Sequence, residues 1–195
     1  MLELIRPTAS LKQSYLEALA EFHAERRFLY HRLDVLQRNF DAHVQAECAL
    51  IHWENIALFR VPETIYWLAD DDTFVGRFEL RHRLDNLADD IGGHIGYSIR
   101  PGRRRQGYGA AILKLGLEKA AQRGLSRVLL TCDPDNTASR KIIEKNGGLF
   151  EKRIERMIDG VLYCKLRYWI EVPIAHPAGL ANMGAERKTG HQPGI

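Results

Sequence analysis

Residues 95–110 describe a strand that must stop, turn on glycines and restart as a helix. Ile95, Tyr97 and Ile99 alternate with smaller or polar residues, the period of a half-buried strand. Pro101-Gly102 ends it. Beyond Arg103-Arg104-Arg105-Gln106-Gly107-Tyr108-Gly109, the apolar Ala110, Leu113, Leu117, Ala120 and Ala121 recur at helical spacing, and Gly124 stands where a left-handed C-cap is expected. A strand feeding a glycine-rich turn into a helix leaves the first N–H groups of that helix unpaired, at the positive end of its dipole. Phosphate is the natural ligand of such a cradle.

Glycine spacing narrows the anion. Gly107 and Gly109 lack side chains where a pyrophosphate would lie against the backbone, and Arg103, Arg104 and Arg105 add charge beside it. No Gly-Lys-Ser/Thr follows, which excludes a Walker loop, and Gly102, Gly107 and Gly109 do not fit G-x-G-x-x-G. Arg104-Arg105-Gln106-Gly107-Tyr108-Gly109 does fit R/Q-x-x-G-x-G/A, and here the chain resembles the GNAT superfamily of acyl-CoA-dependent N-acetyltransferases. The resemblance implies that Arg104, Arg105, Gln106, Gly107, the backbone N–H of Tyr108, and Gly109 grip the coenzyme A pyrophosphate. Ser126 to Cys132 reads as a buried strand. Asp133-Pro134-Asp135-Asn136 is a turn ending in an N-cap, and Thr137 to Asn146 suits a short helix closed by Gly147-Gly148. The family has this same order, with the Asn meeting the pantetheine arm, a role the resemblance assigns to Asn136. It covers residues 64 to 170 well and the first sixty poorly, and is closest to small bacterial proteins of undefined substrate.

The fold class expected is α/β (α+β). In GNAT-like form this is a mixed, mostly antiparallel sheet flanked by helices, with a splay between two central parallel strands, Ile95–Arg100 and Arg127–Cys132. With 195 residues, 45% hydrophobic and 27% charged, one compact domain over residues 1–172 fits the length. Beyond Pro173 the composition turns to Pro, Gly, Ala, Asn, His and Lys without periodicity, which predicts a disordered tail over 173–195. A net charge of +3 is too small for a nucleic-acid binder of ordinary kind. Three cysteines without metal-ligand spacing point to a reduced, cytoplasmic protein, and neither a leader nor a membrane-spanning run is expected.

Taken in order, Leu2 to Arg6 is a short strand. Thr8 or Ser10 caps a helix that buries Leu11, Tyr15, Leu19 and Phe22 and turns Lys12, Glu17 and Glu21 outward. Residues 26–38 mix charged and aromatic types without a period. A second helix from Asn39 or Asp41 would bury Val44, Cys48 and Ile51; in the resembling fold this helix pair walls the acceptor pocket. Thr64 to Ala69 and Phe74 to Arg81 form a hairpin around Asp70-Asp71-Asp72, a solvated turn that lacks the pattern of a calcium loop. In the second strand Phe74, Phe78 and Leu80 share one face and Arg77, Glu79 and Arg81 the other. Asp159-Gly160 joins a last hairpin, Leu149–Met157 and Val161–Trp169.

Acetyl-CoA is the cosubstrate that the resemblance implies, with no metal. Direct transfer to an amine needs a base for the nitrogen, a donor for the thioester oxygen and a proton for the thiolate. The family takes its oxygen donor from the backbone N–H near Ile99. His94 and Glu79 are the candidate bases, since both sit on strands beside the expected cleft. Where many relatives carry an acidic Tyr this chain has Ile143, leaving Tyr97, Tyr108, Tyr163 or solvent to protonate the thiolate. Cys132 is read as a small buried residue rather than a nucleophile. The expected partner is a small-molecule or peptide amine, with no nucleic acid and no membrane, and homodimer formation is left open. Two rivals stand beside the N-acetyltransferase reading: a non-catalytic acyl-CoA sensor, and a nucleic-acid-binding protein centred on the Arg run.

Overall fold

The computed structural model describes residues 1–52, 54, 61–84, 91–158 and 160–172. The C-terminal tail expected over 173–195 lies outside these residues, as does Asp159. Strands β1 (Leu2–Ile5), β2 (Glu63–Asp70), β3 (Thr73–Arg81) and β4 (Ile95–Ile99) form one sheet in that order, and β5 (Arg127–Cys132), β7 (Val161–Glu171) and β6 (Leu149–Ile158) form a second. Helices α1 (Lys12–Ala24), α2 (Leu33–Arg38) and α3 (Phe40–Ala49) precede β2. Helix α4 (Tyr108–Gln122) joins β4 to β5, and α5 (Thr137–Lys145) joins β5 to β6. Among the described residues no helix is long and apolar enough to cross a membrane.

Two apolar clusters sandwich the first sheet. Phe78, Leu80, Ile112, Leu113 and Ile143 belong to the cluster under α4 and α5, whereas Tyr15, Leu19, Phe40, Trp67 and Phe74 belong to the one under α1–α3. The sequence pattern placed Phe74 with Phe78 and Leu80, and the structure separates them. The β2–β3 register pairs Leu68 with Gly76 but Ala69 with Phe74, so Val75 is an extra residue. One such bulge exchanges the faces of the strand beyond it.

Helix α3 departs further from expectation. Its most buried polar residue is Glu47, which accepts the indole N–H of Trp67 at 2.9 Å and Nε of Arg77 at 3.1 Å. A charge paired on both oxygens can occupy a position where periodicity expects an apolar side chain.

The expected splay is present. Every ladder among the described strands is antiparallel, and β4 and β5 share none. Among the described residues the backbone bonds between the two sheets lie at the root of β4, where Gly93 bridges Leu130 and the His94 N–H donates to the Leu129 carbonyl at 2.8 Å. Beyond that point the strands diverge and a cleft opens.

Candidate active site

The cleft holds about 750 Å³ and runs from β4 across the N-terminus of α4 to that of α5. Its α4 end is built by backbone geometry. Arg100 leads into a 3-10 turn at Pro101–Arg103, Arg105 takes φ +61°, and Gly107 takes φ +89° as the N-cap. A non-glycine residue in the left-handed region is held there by its surroundings and marks functional loops. Ala110 and Ala111 both donate to the Gly107 carbonyl, at 3.1 and 3.2 Å. The N–H groups of Arg105 through Gly109 have no partner among the described residues. Unpaired N–H groups at a helix N-terminus favour an anion.

Helix α1 supplies the support for that loop. Glu21 accepts the Gly102 N–H and Nε of Arg100, each at 2.8 Å, and Glu25 grips Arg104 through two hydrogen bonds of 2.7 and 2.8 Å. Burial alone would raise the Glu21 carboxyl, but Arg100 and the Gly102 N–H together hold it below the usual carboxylate range. Glu17 and Glu21 look like solvent-facing charges in the sequence. Only the fold shows that Glu21 clamps the loop and that Glu17 joins it on Arg100, at 3.4 Å.

Of the residues assigned to the cofactor, Ile99, Arg104, Arg105, Gly107, Gly109 and Asn136 line the cleft. Arg104 is committed to Glu25 and to the Ile99 carbonyl, at 3.2 Å, so it shapes the loop while Arg105, Arg27 and Lys141 are the cleft cations without an ion pair among the described residues. Gln106 turns back to the Gly102 carbonyl at 3.3 Å. The Tyr108 hydroxyl donates to Asp70 at 2.8 Å, leaving only its backbone N–H at the cradle. Asn136 caps α5 by accepting the Ser139 N–H at 3.0 Å.

Ile99 is placed to donate. The Arg100 N–H donates to the Val75 carbonyl at 2.8 Å and so faces β3. Main-chain groups alternate sides along a strand, which turns the Ile99 N–H toward the splay, where no described residue accepts it. Across the cleft, the Tyr97 hydroxyl lies 3.1 Å from Ser139 Oγ, and both residues line the cavity. Burial, partly offset by the Ser139 hydrogen bond, pushes the Tyr97 phenol up to about 12, so it stays a donor. Ile143 is fully buried in the core.

The structure does not bring the two candidate bases into this cleft. His94 is 8% exposed, and its Nδ1 accepts the Leu129 N–H at 2.9 Å, fastening β4 to β5 at the root of the splay. Glu79 is ion-paired with Arg77 and approaches Arg81 at 3.7 Å. Both side chains serve the sheet.

No curated protein matches the sequence. Several solved structures share the fold. A ribosomal L7/L12 alpha-N-protein acetyltransferase in complex with coenzyme A is 18% identical, with 89% of this chain and 95% of that one covered at a TM-score of 0.62. The microcin C7 self-immunity acetyltransferase, in complex with acetyl-CoA and AMP, is 13% identical, with 88% and 92% covered at 0.64. An acetyl transferase from Salmonella typhimurium that modifies the N-terminal serine of L7/L12 is 18% identical, with 88% and 95% covered at 0.63. At such identities the likeness is one of fold. The family model described as the acetyltransferase (GNAT) domain matches residues 5–148, most of the chain, and the protein accordingly belongs to the GNAT acetyltransferases.

Proposed function

We propose that this protein transfers the acetyl group of acetyl-CoA directly to a primary amine. The observation that carries the reading is the run of unpartnered N–H groups from Arg105 to Gly109 beside a cleft of about 750 Å³ that reaches from β4 to the start of α5. Pyrophosphate suits that cradle: two linked anionic groups meet several N–H donors, the helix dipole and the Arg105 guanidinium. Lys141 and Arg27 add positive charge along the same wall. Asn136 orders the start of α5, and with its carbonyl used for capping, its amide N–H groups remain for a polar linker.

The splay serves the acyl end. A strand-like pantetheine arm can enter where β4 and β5 share no ladder, and the Ile99 N–H is aimed there as a donor for an oxygen that gains charge in the transition state. Tyr97, hydrogen-bonded to Ser139, offers its hydroxyl to the departing sulfur. This replaces the acid absent at Ile143. A thiolate is a good leaving group near neutrality, so a hydrogen bond from a neutral phenol suffices.

The acceptors of structural relatives are diverse, including a ribosomal protein N-terminal serine and spermidine. Calorimetric titration with acetyl-CoA and desulfo-CoA, followed by thiol release in the presence of peptide and alkyl amines, tests the reading. Micromolar binding and one acetylated amine per thiol released support it. Tight acetyl-CoA binding without turnover on any amine would instead favour a sensor.

A further inference from the structure

A second cavity lies beside the first. It holds about 20 Å³ and is walled by Tyr15 and Phe22 of α1, Phe28, His31, and Arg77 of β3. Ser98 lines both cavities, so the small one opens next to the strand whose neighbouring N–H, that of Ile99, faces the splay. Room for about one water-sized group admits the end of a slender molecule and no more. The half-buried His31 ring faces this space between Tyr30 and His43, with ring centroids 4.4 and 5.0 Å away, and its nitrogens have no hydrogen-bond partner among the described residues. A half-buried imidazole whose nitrogens are unused, in an otherwise mostly aromatic and aliphatic slot, is an acceptor waiting for a donor.

On the acetyltransferase reading above, we propose that this slot receives the acceptor nitrogen and that His31 takes its proton, the acceptor being a weakly basic amine such as a peptide α-amine. The amine lone pair closes a C–N bond on the thioester carbon and the C–S bond breaks. The N–H proton passes to the His31 imidazole and on to solvent, and the thiolate takes a proton from solvent or through the Tyr97 hydroxyl.

The charges around the slot decide which amine it accepts. Facing His31 are Tyr15 and His23 from α1, His43 and Glu47 from α3, Arg77 from β3, and the adjoining Tyr30. Among the described residues no carboxylate lines the cavity, and Glu47 and Glu79 are both tied to Arg77, so none of these residues is placed to hold an ammonium ion. Burial, with His43, Arg77 and His23 adding to it and Glu47 opposing, pushes His31 down to about 4. The ring is therefore neutral at pH 7 and accepts hydrogen bonds. It is too weak a base to strip a lysine-like ammonium of pKa ~10.4, whereas an α-amine of pKa ~8 supplies its own neutral fraction. Its proton becomes acidic once the C–N bond forms, and a weak base then suffices.

The test is single-turnover acetyl transfer from acetyl-CoA by wild type, His31→Ala and His31→Phe, with a glycyl-peptide amide and an N-acetyl-lysine amide as acceptors. Wild type is expected to acetylate the α-amine about 10²-fold faster than the lysine amine at pH 7. Both variants should lose about 10²-fold or more in rate with acetyl-CoA affinity unchanged, and free imidazole should restore His31→Ala. Variants within threefold of wild type, or a preference for lysine, overturn the assignment while leaving the transferase intact. Absence of transfer by wild type to any amine overturns both.

Discussion

Gly107→Glu and Gly107→Ala together separate the backbone requirement of the anion loop from its charge requirement. Gly107 has φ +89° and ψ −14°, and a Cβ built there meets nothing within 4 Å. Space is therefore open, and the penalty common to both variants is conformational, about 1–2 kcal/mol for an L-residue forced into the left-handed region. A domain of this size with about 5–15 kcal/mol of stability survives that, melting about 2–8 °C lower. The glutamate adds a carboxylate at the mouth of the cradle. Two unit charges about 5 Å apart repel by about 3 kcal/mol at an effective dielectric of about 20, roughly 10²-fold in affinity. Differential scanning calorimetry should therefore show nearly equal melting temperatures for the two variants, while titration with acetyl-CoA shows weak binding only for Gly107→Glu. Raising the salt concentration should narrow that gap by screening. A folded Gly107→Glu protein binding acetyl-CoA within threefold of Gly107→Ala would show that no phosphate sits at this turn.

Other expectations are more local. Gly116→Ala should destabilise the fold by about 1–2 kcal/mol in denaturant titration, because its Cβ would overlap the ring of the fully buried Phe78, and overpacking outweighs the gain in helix propensity. Tyr97→Phe should lower kcat about tenfold or more and leave the acetyl-CoA Kd unchanged, as expected for a donor engaged with the leaving sulfur. Stability should fall between pH 6.5 and 4: burial pushes both His31 and His82 down to about 4, so the unfolded chain binds protons that the folded one refuses. Because both rings are partly open to solvent, each contributes only about 1 kcal/mol, and His82→Gln should flatten that segment of the stability curve.

Legibility from sequence followed the range of the interactions involved. The strand, glycine turn and helix of the cradle were readable because each part is fixed by its own residues; that Gly107 is left-handed and caps α4 came only with the structure. The hairpins and the Asn136 cap were local in the same sense. The face assignment of Phe74 failed for want of one fact, the bulge at Val75, which no periodicity announces. Residues 26–38 were opaque because His31 and Phe28 find neighbours on α1, α3 and β3 as well as on nearby Tyr30, contacts that no period announces. His94 and Glu79 were credible bases by type and strand position, yet the structure gives their polar atoms to Leu129, Arg77 and Arg81.

Helix α1 links these two levels. Its carboxylates Glu17 and Glu21, with Glu25 at its C-cap, hold Arg100, the Gly102 N–H and Arg104, and thereby set the shape of the loop. Its aromatic residues, Tyr15 and Phe22, wall the small cavity on the other side of β4. These positions fall on adjacent faces of one helix, because residues three and four apart stack while the intervening ones turn away. A rigid helix with both ends of the site built on it fixes the separation between them without any loop having to be ordered. Proximity contributes to rate only when the nucleophile and the carbonyl carbon are held within a few tenths of an ångström of reacting distance. The ion pairs on α1 are part-exposed and individually weak. Their value lies in register: they tie the loop to the same element that carries the acceptor wall, so a shift of either one is a shift of both.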